Sequence, residues 1–146
     1  MPRGALLPAA LLVLLGLWLI DPDTLKSAWL RLPTENIEHV DPRQLSVVDG
    51  GTVRLAGETI RLTGFDTPDT YRAQCDAELV QGEAATARLR ELISRATTAE
   101  LAYLPRHDDY GRDLAKLTLD GRNVADTMVG EGFARRYGGG QRLPWC

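Results

Sequence analysis

Residues 45–55 read Leu-Ser-Val-Val-Asp-Gly-Gly-Thr-Val-Arg-Leu, and this stretch predicts the β-hairpin around which the sheet is built. Its two ends are rich in β-branched and apolar residues, and the Asp-Gly-Gly segment between them is typical of a tight hairpin turn. A second turn at residues 56–58 leads into another alternating run at residues 59–62. In that run Ile60 and Leu62 share one face and Arg61 takes the other. The pattern predicts a meander of three strands.

The rest of the chain alternates between helical and extended patterns. Residues 78–93 carry apolar side chains at helical spacing and predict the main helix. Residues 98–104 predict a fourth strand, which Pro105 should end, and residues 112–119 predict a fifth, which a turn at residues 120–121 stops. Residues 124–129 predict a short helix. The chain is therefore expected to be α+β and mainly β.

The N-terminal segment has the composition of a targeting sequence. Residues 5–20 contain no charge, Arg3 precedes them, and Asp21 follows. A positive flank before an apolar run is typical of an export signal. We expect a hydrophobic helix at residues 1–20, preferably a signal anchor in the membrane, with a cleaved signal peptide as the alternative. Residues 21–44 are expected to be a linker. The folded part would then lie in the cell envelope outside the cytoplasm, or be secreted or periplasmic after cleavage.

Composition limits the possible partners and cofactors. The net charge of −3 and pI of about 5.4 exclude a broadly basic nucleic-acid coat, so phosphate recognition must be local. The two histidines and two cysteines lack zinc-ligand spacing. An oxidising compartment favours a disulfide between Cys75 and Cys146, which would tie the C-terminal tail to the start of the main helix. Two free thiols or an intermolecular bridge are the alternatives.

Several residues have the chemistry needed to cleave a phosphodiester. Two arginines can clamp a phosphate through their planar guanidinium groups, and the candidates are Arg61 and Arg112. Residues 66–69 (Asp-Thr-Pro-Asp) place two carboxylates and a carbonyl in a rigid turn, and such oxygens suit a hard cation such as calcium. The structural alternatives are surface ion pairs for the arginines and a turn cap for Asp66.

Three segments at residues 47–55, 60–69 and 108–115 resemble, in order and spacing, the active-site segments of the thermonuclease (staphylococcal-nuclease-like) family. The resemblance covers residues 45–137 and leaves residues 138–146 as a tail. It implies a five-stranded Greek-key barrel of the OB type, with one main helix and one short helix. It also implies a phosphodiester endonuclease that acts on single-stranded DNA or on RNA.

The resemblance assigns roles to individual residues. An aspartate and the carbonyl of the next residue bind calcium in this family, and they match Asp66 and Thr67. The acidic residue after the proline, which helps to activate water, matches Asp69. Tyr110 matches a tyrosine near the substrate phosphate, and Asp108 matches an aspartate of the same loop, to which we assign a structural role.

Two positions depart from the family pattern. Gly51 stands where the family usually has an aspartate that binds calcium, and Asp49 could reach a metal only through water. Asp69 replaces the usual glutamate and is one methylene shorter. Calcium binding is therefore expected to be weak or lost. Two alternatives to a nuclease stay open: a catalytically degenerate OB-type module, tethered to the membrane, that binds nucleic acid or protein, and a structural domain of the cell envelope.

Overall fold

The computed structural model describes residues 36–146, which combine nine strands with two α-helices. The helices are α1 (Asp76–Arg95) and α2 (Val124–Gly130), and Pro42–Gln44 forms one turn of 3-10 helix. The strands in chain order are β1 (Asn36–Val40), β2 (Ser46–Asp49), β3 (Thr52–Leu55), β4 (Glu58–Leu62), β5 (Gly64–Asp66), β6 (Ala99–His107), β7 (Asp113–Leu119), β8 (Arg122–Asn123) and β9 (Arg135–Tyr137).

The main sheet has the strand order β1-β6-β7-β4-β3-β2, and β8 pairs with β7. Neighbouring strands of this sheet are antiparallel, except that β4 and β7 run parallel with Arg61 opposite Leu114. The three predicted strands of the meander are present as β2, β3 and β4. The expected closed barrel is not seen, because β1 occupies the second edge of β6 and the pairing within residues 36–146 stays open.

A separate two-stranded sheet joins β5 to β9, with Asp66 opposite Arg135. Each of these strands has only three residues, so neither shows a periodicity that the sequence could reveal. Their pairing places the start of the C-terminal tail beside the acidic turn of residues 66–69.

Two parts of the main sheet extend beyond the predicted strands. Strand β1 lies inside the expected linker of residues 21–44, because its mostly exposed residues join the sheet through backbone pairing with β6 and show no apolar pattern. Strand β6 continues beyond Pro105 to His107, because the register shifts between Tyr103 and His107 and takes the proline out of the regular ladder.

The hydrophobic helix predicted for residues 1–20 lies outside the described residues. Neither α1 nor α2, the α-helices of residues 36–146, is long and apolar enough to cross a membrane.

Both helices contribute buried residues to the core. From α1 these are Ala85, Leu89 and Ile93, and from α2 Val124 and Met128. The sheet and the segments that flank it contribute Leu45, Val53, Ile60, Leu62, Phe65, Ala99, Leu101, Ala115, Leu117 and Leu119.

A glycine in α1 brings the helix close to the acidic turn. A Cβ atom at Gly82 would lie 2.9 Å from the backbone oxygens of both Pro68 and Asp69. Glycine is unfavourable inside a helix, but here its missing side chain lets the turn of residues 66–69 pack directly on α1.

Candidate active site

Asp66 lies at the end of β5 and is almost completely buried, with 4% of its surface exposed. Its Oδ1 lies 2.7 Å from Nε of Arg142 and 3.4 Å from Nη2 of Arg61. Its Oδ2 accepts a hydrogen bond of 3.2 Å from the indole Nε1 of Trp145. Both oxygens of the carboxylate therefore have donors from the protein itself. A buried carboxylate needs such partners, because an unpaired buried charge is very costly.

The turn after Asp66 is held from two sides. The carbonyl oxygen of Thr67 accepts a hydrogen bond of 3.0 Å from Nη2 of Arg142, and Oδ2 of Asp69 lies 3.3 Å from Nη1 of the same guanidinium. On the helix side, the backbone N–H of Asp69 donates to Oε1 of Glu78 over 3.2 Å. Oε2 of the buried Glu78 also accepts from the backbone N–H of Gln74, over 2.7 Å. These contacts fix the backbone that presents Asp69.

Arg61 points from the centre of β4 into the same region. Its side chain is 19% exposed, and its one hydrogen bond to the described part of the chain is the 3.4 Å contact with Asp66. Burial lowers the pKa of Arg61, the charges of Asp49 and Asp66 oppose that change, and the charges of Arg142 and Arg112 add to it. A guanidinium has five N–H donors, so most of the donors of Arg61 are unused by residues 36–146.

Arg112 is braced by the loop that precedes β7. Its Nε lies 2.7 Å from Oδ2 of Asp108, and its backbone N–H donates to Oδ1 over 2.9 Å. Burial acts to raise the pKa of Asp108, but the hydrogen bonds from Arg112 and Tyr110 outweigh burial and lower it. Asp108 thus orients the arginine, which agrees with a structural role. The charge of Arg112 contributes to lowering the pKa of Arg61, so the two guanidinium groups are near enough to interact electrostatically.

Tyr110 is 71% exposed, and its ring faces Cζ of Arg112 at 5.5 Å from the centroid. The pKa of Arg72 is raised, first by a hydrogen bond with Tyr110 and also by the charge of Asp69. Tyr110 and Arg72 therefore form the exposed rim of the same region, next to Asp69.

The C-terminal tail is fastened across this region. Cys146 forms a disulfide with Cys75, the N-cap residue of α1, with a Cα–Cα distance of 6.0 Å. The guanidinium of Arg135 stacks on the ring of Trp145 at 3.7 Å and donates to the carbonyl of Pro144 over 2.9 Å. The predicted disulfide is present, and it brings the tail to the acidic turn.

The calcium site predicted around Asp66 and Thr67 does not fit the arrangement of these residues. The oxygens of the acidic turn are bonded to Arg142, Arg61 and Trp145, and Gly51 supplies no carboxylate. Oδ1 of Asp49 accepts a hydrogen bond from the backbone N–H of Gly51 over 2.9 Å. Within residues 36–146, no group of three or more His, Cys, Asp or Glu side chains is arranged to hold a metal ion.

The structure thus brings Arg61, Asp66, Thr67 and Asp69 together, with Arg112 and Tyr110 on the adjoining loop. Sequence reasoning missed Arg142, Trp145 and Glu78. Arg142 and Trp145 donate hydrogen bonds to residues more than seventy positions away, so no local sequence pattern predicts these contacts. The predicted disulfide was the one signal that placed the tail near the site.

Comparison with known proteins agrees with this fold. The family model described as staphylococcal nuclease homologue matches residues 59–142. SPbeta prophage-derived endonuclease YokF of Bacillus subtilis (strain 168) is 35% identical over 103 residues, which cover 67% of this chain and 34% of the relative. Endonuclease YncB of the same organism is 34% identical over 93 residues, which cover 60% of this chain and 44% of the relative.

A third relative, succinoglycan biosynthesis protein ExoI of Rhizobium meliloti (strain 1021), is 28% identical over 95 residues, which cover 62% of this chain and 49% of the relative. The chain thus spans less than half the length of each of these three proteins. The family model, however, matches more than half of this chain. The chain belongs to the staphylococcal nuclease homologue family.

Proposed function

We propose that this chain is a nuclease, a phosphodiester hydrolase that acts on single-stranded DNA or RNA. The observation that carries the proposal is the guanidinium of Arg61, which is largely buried yet makes a single long hydrogen bond within residues 36–146. Keeping a charge in that position is unfavourable, and the pKa of Arg61 is lowered by burial and by two neighbouring arginines. A phosphate that accepts hydrogen bonds from Arg61 and Arg112 would compensate both the burial of the charge and its repulsion by the neighbouring arginines.

The chemical step can be written with the residues at hand. A water oxygen attacks phosphorus, the bond from phosphorus to one ester oxygen breaks, and that oxygen leaves with a proton from solvent. Arg61 and Arg112 donate to the phosphoryl oxygens, where negative charge grows in the transition state. We assign Asp69 to the attacking water. One of its carboxylate oxygens pairs with Arg142, which leaves the other to accept the proton of that water.

Nucleases of this family generally depend on calcium. Because the acidic turn here is bonded to arginine, we assign no step to the metal and expect calcium binding to be weak or lost. The names of two relatives, both endonucleases, support a nucleic-acid substrate. We also propose that the protein acts outside the cytoplasm, because an oxidising compartment preserves the Cys75–Cys146 disulfide.

A second candidate is a module that binds nucleic acid without cutting it. The observation in its favour is that Arg142 neutralises both carboxylates of the acidic turn. Because both carboxylates are engaged in ion pairs, fewer of their oxygens are free to accept the proton of an attacking water.

One assay separates the two functions. The full chain is incubated with end-labelled single-stranded DNA or RNA, in the presence of calcium or of a chelator, and fragments are followed with time. For the nuclease we expect cleavage that falls by about 10²-fold or more in Arg61→Ala and in Arg112→Ala. Arg136→Ala is the matched control, since Arg136 makes only an exposed ion pair with Asp126 within the described chain.

Binding of the labelled strand without fragments in every condition would support the binding module. Cleavage that persists unchanged in both arginine variants would contradict the placement of the site.

A further inference from the structure

The guanidinium of Arg142 lies among three oxygens that converge on one point. Its Nε is 2.7 Å from Oδ1 of Asp66, its Nη2 is 3.0 Å from the carbonyl oxygen of Thr67, and its Nη1 is 3.3 Å from Oδ2 of Asp69. Two carboxylates and a backbone carbonyl are the ligands that a hard divalent cation takes in proteins. Here one positively charged side chain takes all three.

The charge of Arg142 suits its surroundings. Burial acts to lower the pKa of Arg142, but the charges and hydrogen bonds of Asp66 and Asp69 outweigh burial and raise it. The arginine therefore stays charged at neutral pH. Three of its five N–H donors are used by the turn, and 40% of its side chain is exposed. The remaining donors can reach a bound anion.

The free end of a second arginine side chain, that of Arg61, lies beside position 51. A Cβ atom on Gly51 would overlap the guanidinium of Arg61, whose Cζ lies 3.1 Å away. An acidic side chain at this position would thus meet Arg61 before it could reach a cation. The absence of a carboxylate at Gly51 and the presence of Arg142 on the turn therefore both act against a bound metal ion.

The tail holds Arg142 in place from both sides. Before it, β9 pairs with β5 up to Tyr137, and after it, Trp145 donates to Asp66 and Cys146 is bonded to Cys75. Few residues separate Arg142 from either anchor, so its side chain has little freedom to leave the turn.

We propose that Arg142 is the built-in cation of this site: it stands where a divalent metal would bind, and it lets the disulfide-bonded chain bind phosphodiesters without metal. The inference deepens the proposed function and rests on it for the identity of the anion. Arg142 would donate to a phosphoryl oxygen beside Arg61 and Arg112. It is a positioning group for the acidic turn and a binding group for substrate.

Titration calorimetry with calcium tests whether Arg142 occupies the position of a divalent metal, and it needs no assay of activity. The wild-type chain and Gly51→Asp should both show no calcium binding, because Arg142 holds the oxygens. The double variant Gly51→Asp/Arg142→Ala frees the oxygens and adds a carboxylate. It should bind calcium with a dissociation constant of about 0.1–1 mM. Binding to the wild type as tight as to the double variant would overturn the inference.

Binding of a labelled single-stranded DNA in chelator, followed by anisotropy, tests whether Arg142 lets the chain bind phosphodiesters without metal. The wild-type chain should bind equally with calcium and with chelator. Arg142→Ala should lose about tenfold or more in affinity, the scale of one hydrogen bond to a charged group, beyond the loss in the control Arg136→Ala. Arg142→Lys keeps the charge without the planar fork and should recover part of that loss. Equal losses in Arg142→Ala and Arg136→Ala, or wild-type binding that needs calcium, would overturn the inference.

The two proposals fail in different ways. If the binding results are as expected and no variant cuts DNA or RNA under any condition, the hydrolase is wrong and the role of Arg142 stands. If cleavage by the wild type needs calcium and Arg142→Ala cuts faster, the hydrolase stands and Arg142 blocks the site.

Discussion

The backbone N–H of Asp69 donates to Oε1 of Glu78 over 3.2 Å, and this contact ties the acidic turn to the first turn of α1. Glu78 is buried, and its other oxygen accepts from the N–H of Gln74. One carboxylate therefore satisfies two backbone donors on the segment between the site and the helix.

Glu78→Gln should lower the free energy of unfolding by about 1–3 kcal/mol, because an amide offers one acceptor oxygen where the carboxylate offers two. Urea denaturation measures the change. Glu83→Gln, an exposed substitution in the same helix, is the control and should have little effect. Equal stability of the two variants would show that Glu78 does not support the turn.

Gly82→Ala should also destabilise the chain, by about 1–3 kcal/mol, although alanine favours a helix more than glycine does. The added Cβ would press on the backbone oxygens of Pro68 and Asp69, which cannot move as a side chain would. Gly130→Ala, at the end of α2 with open space around it, is the matched control. We expect that variant to be neutral or slightly more stable, and the reverse order of the two in thermal melting would contradict this packing.

Reduction of the disulfide should cost about 3–5 kcal/mol of stability, since the bond closes a long loop whose two cysteines have a sequence separation of 71. Urea denaturation with and without reductant measures the difference. Cys75→Ser/Cys146→Ser should have the stability of the reduced chain and should not respond to reductant. A wild-type chain that is equally stable in both conditions would speak against a closed loop in solution.

The pH dependence of stability should carry a contribution from Asp108. Its pKa in the folded chain lies below the unfolded value of about 3.9, because Arg112 and nearby N–H groups bond to the charged form. The contribution is complete above the unfolded pKa and is lost as pH falls through the folded pKa. Between about pH 5 and pH 2 the wild type should therefore lose more stability than Asp108→Asn. Asp109→Asn, an exposed neighbour, should follow the wild type in the same urea series.

The sequence predicted those parts of the fold that repeat a pattern over several residues. The meander β2–β4, strand β7 and both helices carry apolar residues at regular spacing, and that spacing follows from which side of each element is buried. Strand β1 joins the sheet through its backbone with mostly exposed side chains, so no such spacing exists. Strands β5 and β9 are too short to show one.

The candidate site was predictable where neighbours in sequence are also neighbours in space. Asp66, Thr67 and Asp69 share one turn, and Asp108 and Arg112 share one loop. Arg142 reaches Asp66 across the whole domain, and only the folded topology of β5 and β9 brings them together. Long-range contacts of this kind leave no local periodicity, and they decide here which cation the turn holds.

The overlap between position 51 and Arg61 restricts the order in which this site could change by mutation. An aspartate introduced first at Gly51 would pair with Arg61, and Arg142 would still hold the turn, so the change would bring no metal and would tie up the main phosphate donor. Loss of Arg142 is the change that frees the oxygens of the turn. The intermediate would have lost the arginine partner of Asp69, and the cost of that loss separates the arginine form of the site from a metal-dependent one.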